Sequence, residues 1–463
     1  MEKLHYLPEW VAGGIIYHIY PFGFFGAPES GKDYPQIVNR LEKIRNYYSH
    51  FQQLGINIIQ FGPLFESERH GYDIIDYMKI DHRLGTIELF KEIVKKLHQL
   101  NIRVILDGVF NHVGRGFSSF KDIQEHREKS WKKHWHIINF QRDSPYHDGF
   151  DYANWEGHYD LVKLNLEERE VKNYIFSVAT FWLKEMDING WRLDVAYQIS
   201  PQFWKEFREV CKSIKRDCFL LGEMIHGPYT KWVGKDLLDA GTGYQVHKSI
   251  WSALNSNNMF ELKAVLERSF HPQWGVHKDI CLMNFLGNHD TTRIRSQLKN
   301  DNYLFPAFLF LFTLNGIPKI YYGDEIGMRG IKTTQSDNAV RQEMNPDPSK
   351  WPDRSEEILN HVKLCITLRK SHHALQYGEL IPLFADNDIL AFLRRSSQEI
   401  LLIILSKASV TRSCNIPLWR QDLNNRRFVE ILEQGGDKEY RVKNNQLHIQ
   451  ELFPCWGRVL SCT

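Results

Sequence analysis

Short apolar runs and amphipathic helical patterns alternate at regular intervals along most of this chain, and that alternation limits the folds open to it more than any other feature. GGIIYHIYP (13–21), INIIQFGPL (56–64) and IRVILDGVF (102–110) are rich in β-branched and aromatic residues and read as strands. Between them, IVNRLEKIRNYYSHFQQLG and TIELFKEIVKKLHQLN carry helical periodicity. Strands apolar on both faces, separated by helices, form a parallel sheet covered on both sides. The most informative unit is GWRLDVAYQ (190–198), where Arg192 and Asp194 stand two apart and so share one face of a strand. Ser200 as N-cap and Pro201 at the first helical position then open a helix with a stripe of Phe203, Phe207, Val210, Cys211 and Ile214. Asp194 thus ends a strand. Glu223 follows 29 positions later, close to the about 31 residues per unit of a (β/α)8 barrel of roughly 250 residues. Two such units separate Glu223 from Asp290. The expected fold is a (β/α)8 TIM barrel, with PKIYYGDEIG (318–327) as last strand and LFPAFLFLFTLNGIP (304–318) as a buried helix too short and interrupted to span a bilayer.

The alternation breaks twice. From Asn111 to about Leu164 the chain is rich in His, Trp, Asp and Gly, a connection long enough to be a small inserted domain after the third strand. The helix EREVKNYIFSVATFWLKEM, with Val171, Ile175, Ala179, Trp182 and Met186 on one face, resumes the barrel. Beyond about residue 374, runs such as DILAFLRRS and EILLIILSK have period two and read as a C-terminal antiparallel β domain. The expected division is 1–112 and 165–373 for the barrel, 113–164 for the insert and 374–463 for the β domain.

Of 463 residues, 25% are charged, with a formal net charge of +2, so nothing electrostatic points to nucleic acid or to a membrane surface. Aromatic residues at 13% suit sugar-stacking surfaces and core alike. The seven cysteines form no CxxC pair, which argues against a disulfide framework or a zinc site and for a reducing, cytoplasmic location. The N-terminal stretch lacks the pattern of a secretory leader and is read as mature from the start. Glycine-rich phosphate cradles are absent, and no cofactor is expected.

Four strand ends carry polar clusters: DGVFNH (107–112), Arg192 with Asp194, LLGEMIH (220–226) and FLGNHD (285–290). All four should project from one rim, the rim at which barrel active sites are built. Two carboxylates across a cleft suit cleavage of an acetal. Arg192 should keep Asp194 ionised as nucleophile, whereas Glu223, with no basic neighbour in sequence, should be held protonated by desolvation as the acid. The alternatives at this point are a structural Arg–Asp pair and a metallohydrolase cluster of Asp107, His112, His289 and Asp290, which leaves Arg192, Asp194 and Glu223 unexplained.

These four clusters, in this order and at these intervals, resemble the signature regions of the α-amylase superfamily, glycoside hydrolase family 13, over roughly residues 13 to 370. The resemblance implies Asp194 as nucleophile, Glu223 as general acid/base and Asp290 as transition-state stabiliser, with Asp107, His112, Arg192 and His289 lining the site of the cleaved sugar. HGYD (70–73) resembles the segment that stacks a tyrosine, Tyr72, beneath that sugar. Asp337 and Arg341 resemble the pair that holds the next sugar outward, with a loop ion pair as the alternative. His226 matches the histidine in the GEIWH segment of neopullulanase and cyclomaltodextrinase types, and there the expectation is a supporting role. LVKLN (161–165) and WRLDVA resemble segments of the same enzymes, although those usually carry an N-terminal β domain and the first strand here begins near residue 13. Val195 also occurs after the nucleophile in oligo-1,6-glucosidases.

The implied activity is retaining hydrolysis of α-linked glucooligosaccharides of maltodextrin, cyclodextrin or pullulan type. A transglycosylase or glucan isomerase on the same residues, and a non-catalytic carbohydrate-binding relative, are the alternatives. Calcium-dependent members tie the inserted domain to the barrel through an Asn, matched by Asn111, and an Asp, where this chain has Lys163. A second calcium site of some relatives lies in the loop after the first strand, which here reads PFGFFGAPESGKDYPQ and lacks the closely spaced Asp and Asn. No metal requirement is expected.

Overall fold

Eight of the short apolar runs pair side by side and, among the described residues, close into one parallel barrel. In chain order they are β1 (Ile16–Ile19), β2 (Ile58–Phe61), β3 (Arg103–Gly108), β4 (Gly190–Leu193), β5 (Phe219–Gly222), β6 (Ala240–Thr242), β7 (Cys281–Phe285) and β8 (Ile317–Tyr321). Strands successive in the chain are neighbours in the barrel, and β8 closes onto β1 with Lys319 opposite Ile16. The computed structural model describes residues 4–31, 36–419, 421–432 and 438–463. Residues 1–3 of the N-terminal stretch, and 32–35 of the loop read against a second calcium site, lie outside the described residues.

Period-two alternation sorts the barrel lumen into layers. Ile16, Ile58, Ile105, Phe219, Leu221, Met283 and Ile317 join one apolar cluster at its base. Two residues further along four of these strands the inward positions become His18, Gln60, Asp107 and Lys319, all 4% exposed or less. Arg192 joins this polar layer from β4, two residues after Gly190, where a Cβ would lie 2.1 Å from the carbonyl oxygen of Phe219. The glycine lets β4 and β5 approach at the base of the strands that carry Arg192 and Glu223.

The helices form where their signals stand. Thr86 caps Ile87–Gln99 by accepting from the amide of Leu89, and Ser200 caps Pro201–Ile214 by accepting from that of Phe203. The second helix buries Phe203, Trp204, Phe207 and Cys211, with Val210 and Ile214 half-buried at its margin. The helix expected between β1 and β2 is divided: Arg40–Tyr47 is a 3₁₀ helix and Tyr48–Leu54 is α-helical. Leu41, Ile44 and Tyr47, its buried residues, recur every third position, the repeat of a 3₁₀ helix.

After β3, His112–Gly114 pairs with His158–Lys163, which pairs in turn with Asn154–Trp155, and Ser118–His126 is helical. Past the barrel, β9 (Glu379–Ala385), β10 (Ile389–Arg395), β11 (Ile400–Ser406), β12 (Arg412–Pro417), β13 (Arg427–Glu430), β14 (Glu439–Arg441), β15 (Gln446–Leu452) and β16 (Gly457–Cys462) form a six-stranded sheet, β9-β10-β11-β16-β13-β14, and the β12–β15 pair. Every residue of Leu304–Thr313 is buried, because this helix lies between the barrel and β11 and β16. Its C-terminal carbonyls are satisfied from outside: Arg369 donates to Phe312 and Leu314 at 3.0 Å, and Arg394 to Thr313 at 2.5 Å.

Candidate active site

The parallel register brings the polar strand ends together at the C-terminal rim. Asp107 and Arg192 are direct partners across β3 and β4. The Arg192 guanidinium donates through Nη1 to Asp107 Oδ1 and to Asp194 Oδ1, both at 2.7 Å, and pairs through Nη2 with Glu223 Oε1 at 2.7 Å. Leu193 is paired with Gly222, which sets Glu223 beside the Asp194 segment, and the Glu223 amide donates to Leu193 at 2.8 Å. Two expectations are corrected here. Glu223, without a basic neighbour in sequence, acquires Arg192 in the fold because β4 and β5 are adjacent. Asp194 is not simply held ionised by Arg192. Burial pushes its carboxyl well above the usual range, Arg192 pulls it down, and Glu223 and Asp107 push it up. Burial raises Asp107 in the same way against the pull of Arg192. One guanidinium is divided among three buried carboxyl groups, and Asp107 and Asp194 are both raised against its pull.

Asp290 has a different setting, with 37% of its side chain accessible. Burial opposes its ionisation, yet His289, Arg341 and Lys332 outweigh it and hold the carboxyl well below the usual range. His289 Nε2 lies 2.9 Å from Asp290 Oδ2, and Arg341 Nη2 donates to Asp290 Oδ1 at 3.0 Å and to Asp337 Oδ2 at 2.8 Å. The Asp337–Arg341 pair thus extends the site directly from Asp290. Tyr72 stacks on His289 with ring centroids 5.4 Å apart, and its hydroxyl donates to Asp107 Oδ2 at 3.2 Å and meets His289 Nε2. The turn carrying it is fixed by Asp73, which accepts from the His70 amide at 3.1 Å. His112 stands apart from this network, its ring 5.9 Å from Trp155 and its Nε2 without a hydrogen-bond partner among the described residues. Burial, then His70, His158 and Lys163, bring it down to about 3, so the imidazole is neutral. His226 is exposed, edge-on to Tyr197 at 5.8 Å.

Several residues of the site, Tyr20, Tyr244 and Gly23 among them, were not singled out from sequence. Tyr20 stacks on the other face of His289 at 5.6 Å, with Arg341 4.7 Å above its ring. It is two on from His18, so the β1 alternation was a signal for it. Tyr244 donates to Glu223 Oε1 at 3.0 Å and accepts from Asn288 Nδ2 at 2.9 Å. It follows β6 by two residues, and the brevity of that strand concealed it. The Val195 amide donates to Glu223 Oε2 at 3.1 Å, and Val195 has φ 37°. A β-branched residue in left-handed conformation is strained, and the strain here aims a backbone donor at the Glu223 carboxyl group. Gly23 lets the loop after β1 touch the Arg341 segment, since a Cβ there would lie 2.0 Å from the Arg341 carbonyl oxygen.

The donor set around Asn111 does not fit calcium. Asn111 Oδ1 is buried without a hydrogen-bond partner, but the residue paired with His112 across the adjacent strands is Lys163, whose ammonium cannot serve as the hard oxygen ligand that calcium requires. The metallohydrolase set does not converge either: Asp107 is on Arg192, while His289 pairs with Asp290. Among the described residues the one group of three with metal-ligand spacing is Glu66, Asp81 and His82. There His82 Nδ1 is on Glu66 at 2.5 Å, and Asp81 is occupied by Arg83 and Ser67.

A parallel barrel with three carboxylates and an arginine at its C-terminal rim defines a glycosidase class. The family model for the α-amylase catalytic domain matches residues 27–356, and the chain belongs to that family. It is an α-amylase-family glycosidase. Among individual proteins it is similar to a cyclomaltodextrinase of Geobacillus thermopakistaniensis, 34% identical over 434 residues that make up 89% of this chain and 71% of that one. It is also similar to the intracellular maltogenic amylase of Bacillus subtilis strain 168, at 30% over 437 residues, 90% of this chain and 72% of the relative. Among solved structures, the cyclic α-maltosyl-(1→6)-maltose hydrolase from Arthrobacter globiformis, in its ligand-free form, superposes with a TM-score of 0.81 at 26% identity, covering 98% of this chain and 100% of that one.

Proposed function

We propose that this glycosidase cleaves α-linked glucooligosaccharides of the maltodextrin, cyclodextrin or pullulan type by double displacement on Asp194 and Glu223. The observation that carries the reading is Arg192, which binds Asp107, Asp194 and Glu223 at once at the barrel rim. In the first step an Asp194 oxygen bonds to the anomeric carbon as the glycosidic C–O bond breaks, and Glu223 gives its proton to the departing oxygen. In the second, Glu223 takes a proton from water, the hydroxide bonds to the anomeric carbon, and the Asp194 ester bond breaks. Two inversions give retention. Asp290, ionised across the working range, faces the developing positive charge. Tyr72 supports the sugar ring, Asp107, His112, Arg192 and His289 bind its hydroxyls, and Asp337 with Arg341 holds the next sugar.

We assign no calcium requirement to this chemistry, on the strength of Lys163 beside Asn111. Cysteine usage and the similarity to an intracellular maltogenic amylase support a cytoplasmic setting, and no helix among the described residues is long and apolar enough to cross a membrane. The partner implied is an oligosaccharide, with no nucleic acid or membrane surface. Incubation with maltotriose, panose, pullulan and cyclodextrins, with products resolved by chromatography, tests the reading. Products shorter than the substrate are expected, products longer than it would indicate transfer to a sugar acceptor, and no turnover of any of the four would refute it.

A further inference from the structure

A hairpin of the inserted domain reaches across to the loop that follows the nucleophile. Trp155 and His158 are paired in it, so Glu156 and Gly157 form a two-residue turn, and both have positive φ, 49° and 89°. A turn of that kind matches the twist of its flanking strands. A Cβ on Gly157 would meet nothing within 4 Å, so the tip stands clear of packing. Its side chains reach two parts of the cleft. The Trp155 ring lies 5.9 Å from that of His112, and its indole N–H is buried without a hydrogen-bond partner among the described residues. Glu156 is exposed, and its Oε1 accepts from Gln198 Nε2 at 2.9 Å and from the Tyr197 hydroxyl at 3.4 Å, across 42 and 41 residues of chain. The loop it holds is anchored a second time from within. Trp204 Nε1 donates to the Ala196 carbonyl at 2.9 Å, and the Val195 amide donates to Glu223 Oε2 at 3.1 Å. Asp194, Val195 and Glu223 thus keep their places through buried contacts, whereas the half-buried Tyr197 and Gln198 have Glu156 as their outer support.

Tyr197 stands three residues after Asp194 and His226 three after Glu223, and their rings meet edge-on 5.8 Å apart. Glu223 gives its proton to the departing oxygen, so the leaving sugar lies on this side of the centre. The Asp337–Arg341 pair, which holds the next sugar of the retained part, follows β8, and β8 lies four strands from β4 around the closed barrel. We propose that Glu156 is a positioning residue for the leaving sugar: by clamping Tyr197 and Gln198 it sets the Tyr197–His226 pair as the wall against which that sugar rests. Glu156 touches no reacting atom, and the proposal rests on the double-displacement reading. With its hydroxyl engaged by Glu156, Tyr197 offers the leaving pyranose an aromatic ring, a large apolar surface held at low entropic cost.

The experiment compares two substrates that share a donor and differ in what departs: maltotriose, which releases glucose, and α-maltosyl fluoride, which releases fluoride. The ratio of their kcat/KM values isolates the leaving-sugar side, because each reports formation of the same glycosyl-enzyme. Glu156→Ala and Gln198→Ala in the full-length protein should each lower the maltotriose-to-fluoride ratio about three- to tenfold, the range that one net hydrogen bond spans. The double variant should lower it no further, since both changes break the same contact. Glu156→Gln keeps an acceptor oxygen for Gln198 and should restore most of the ratio. Alanine variants that are folded by thermal melt and keep the wild-type ratio would overturn the proposal, and so would effects that multiply in the double variant. Equal losses on both substrates would also overturn it, by making the contact a support of the nucleophile loop. If Glu156→Ala does not fold, Gln198→Ala decides. Labelling of Asp194 by the fluoride tests the double displacement separately, so a labelled nucleophile with an unmoved ratio refutes only the role of Glu156.

Discussion

Asp107 and Asp194 accept from Arg192 at 2.7 Å, Glu223 is ion-paired with it at the same distance, and the pull of that one positive charge against burial governs how Asp107 and Asp194 titrate. Because Asp107 helps to push Asp194 up, Asp107→Asn should let Asp194 ionise at lower pH. The acid limb of kcat/KM is expected to move down as KM rises, and a limb that moves up would contradict the shared-charge account. Glu223→Gln should lose about 10²–10⁴ in kcat on maltooligosaccharides and far less on a glycosyl fluoride, which needs no protonation. Tyr244→Phe removes the hydroxyl that fixes Glu223 Oε1. A charge-assisted hydrogen bond is worth about 1.5–3 kcal/mol, so kcat should fall about tenfold or more with little change in KM. An unchanged kcat would show Tyr244 to be packing alone. The motif residues were legible because each closes an apolar run at a strand end. Tyr244 and the Glu223–Arg192 contact were not, because they depend on which strands are neighbours, and that is a property of barrel closure.

The elements hold this centre through close approaches that a local pattern hardly records. Gly190 opens β4 with no room for a Cβ against Phe219, and Gly190→Ala would wedge β4 from β5 below Arg192 and Glu223. Overpacking of this kind costs about 1–3 kcal/mol, so the variant should melt several degrees lower and lose activity beyond what the melt explains. A melting temperature equal to wild type would mean that the strands separate freely at their base. Periodicity revealed the helix Ile87–Gln99, and the Ser200 cap with its apolar stripe revealed Pro201–Ile214, since these signals act locally. The 3₁₀ segment Arg40–Tyr47 was legible only as helical, because a three-residue repeat of Leu41, Ile44 and Tyr47 also falls on one face of a short α-helix. Inward polar positions on β1 and β8 follow the strand alternation, but in sequence His18 and Lys319 only interrupt apolar runs, and their place in the lumen depends on barrel closure.

At the scale of the whole molecule, the buried helix Leu304–Thr313 joins the barrel to the C-terminal sheet, and Arg369 and Arg394 complete its hydrogen bonding. A chain ending at residue 378 would expose β11- and β16-facing apolar side chains of that helix. It should be insoluble or melt far below the full chain, and a soluble, active truncation would contradict this. Exhaustive EDTA treatment should leave both activity and melting temperature unchanged, because Lys163 stands beside Asn111; a fall of several degrees restored by added calcium would refute the assignment. The most direct test of the central claim is to trap the covalent intermediate. Glu223→Gln can form a glycosyl-enzyme from an activated α-maltosyl fluoride but cannot readily assist water in releasing it, so the ester accumulates. Mass spectrometry of the digested protein should then find one maltosyl group on the peptide containing Asp194. A label on any other residue, or complete turnover with a β-anomer as first product, would contradict the account.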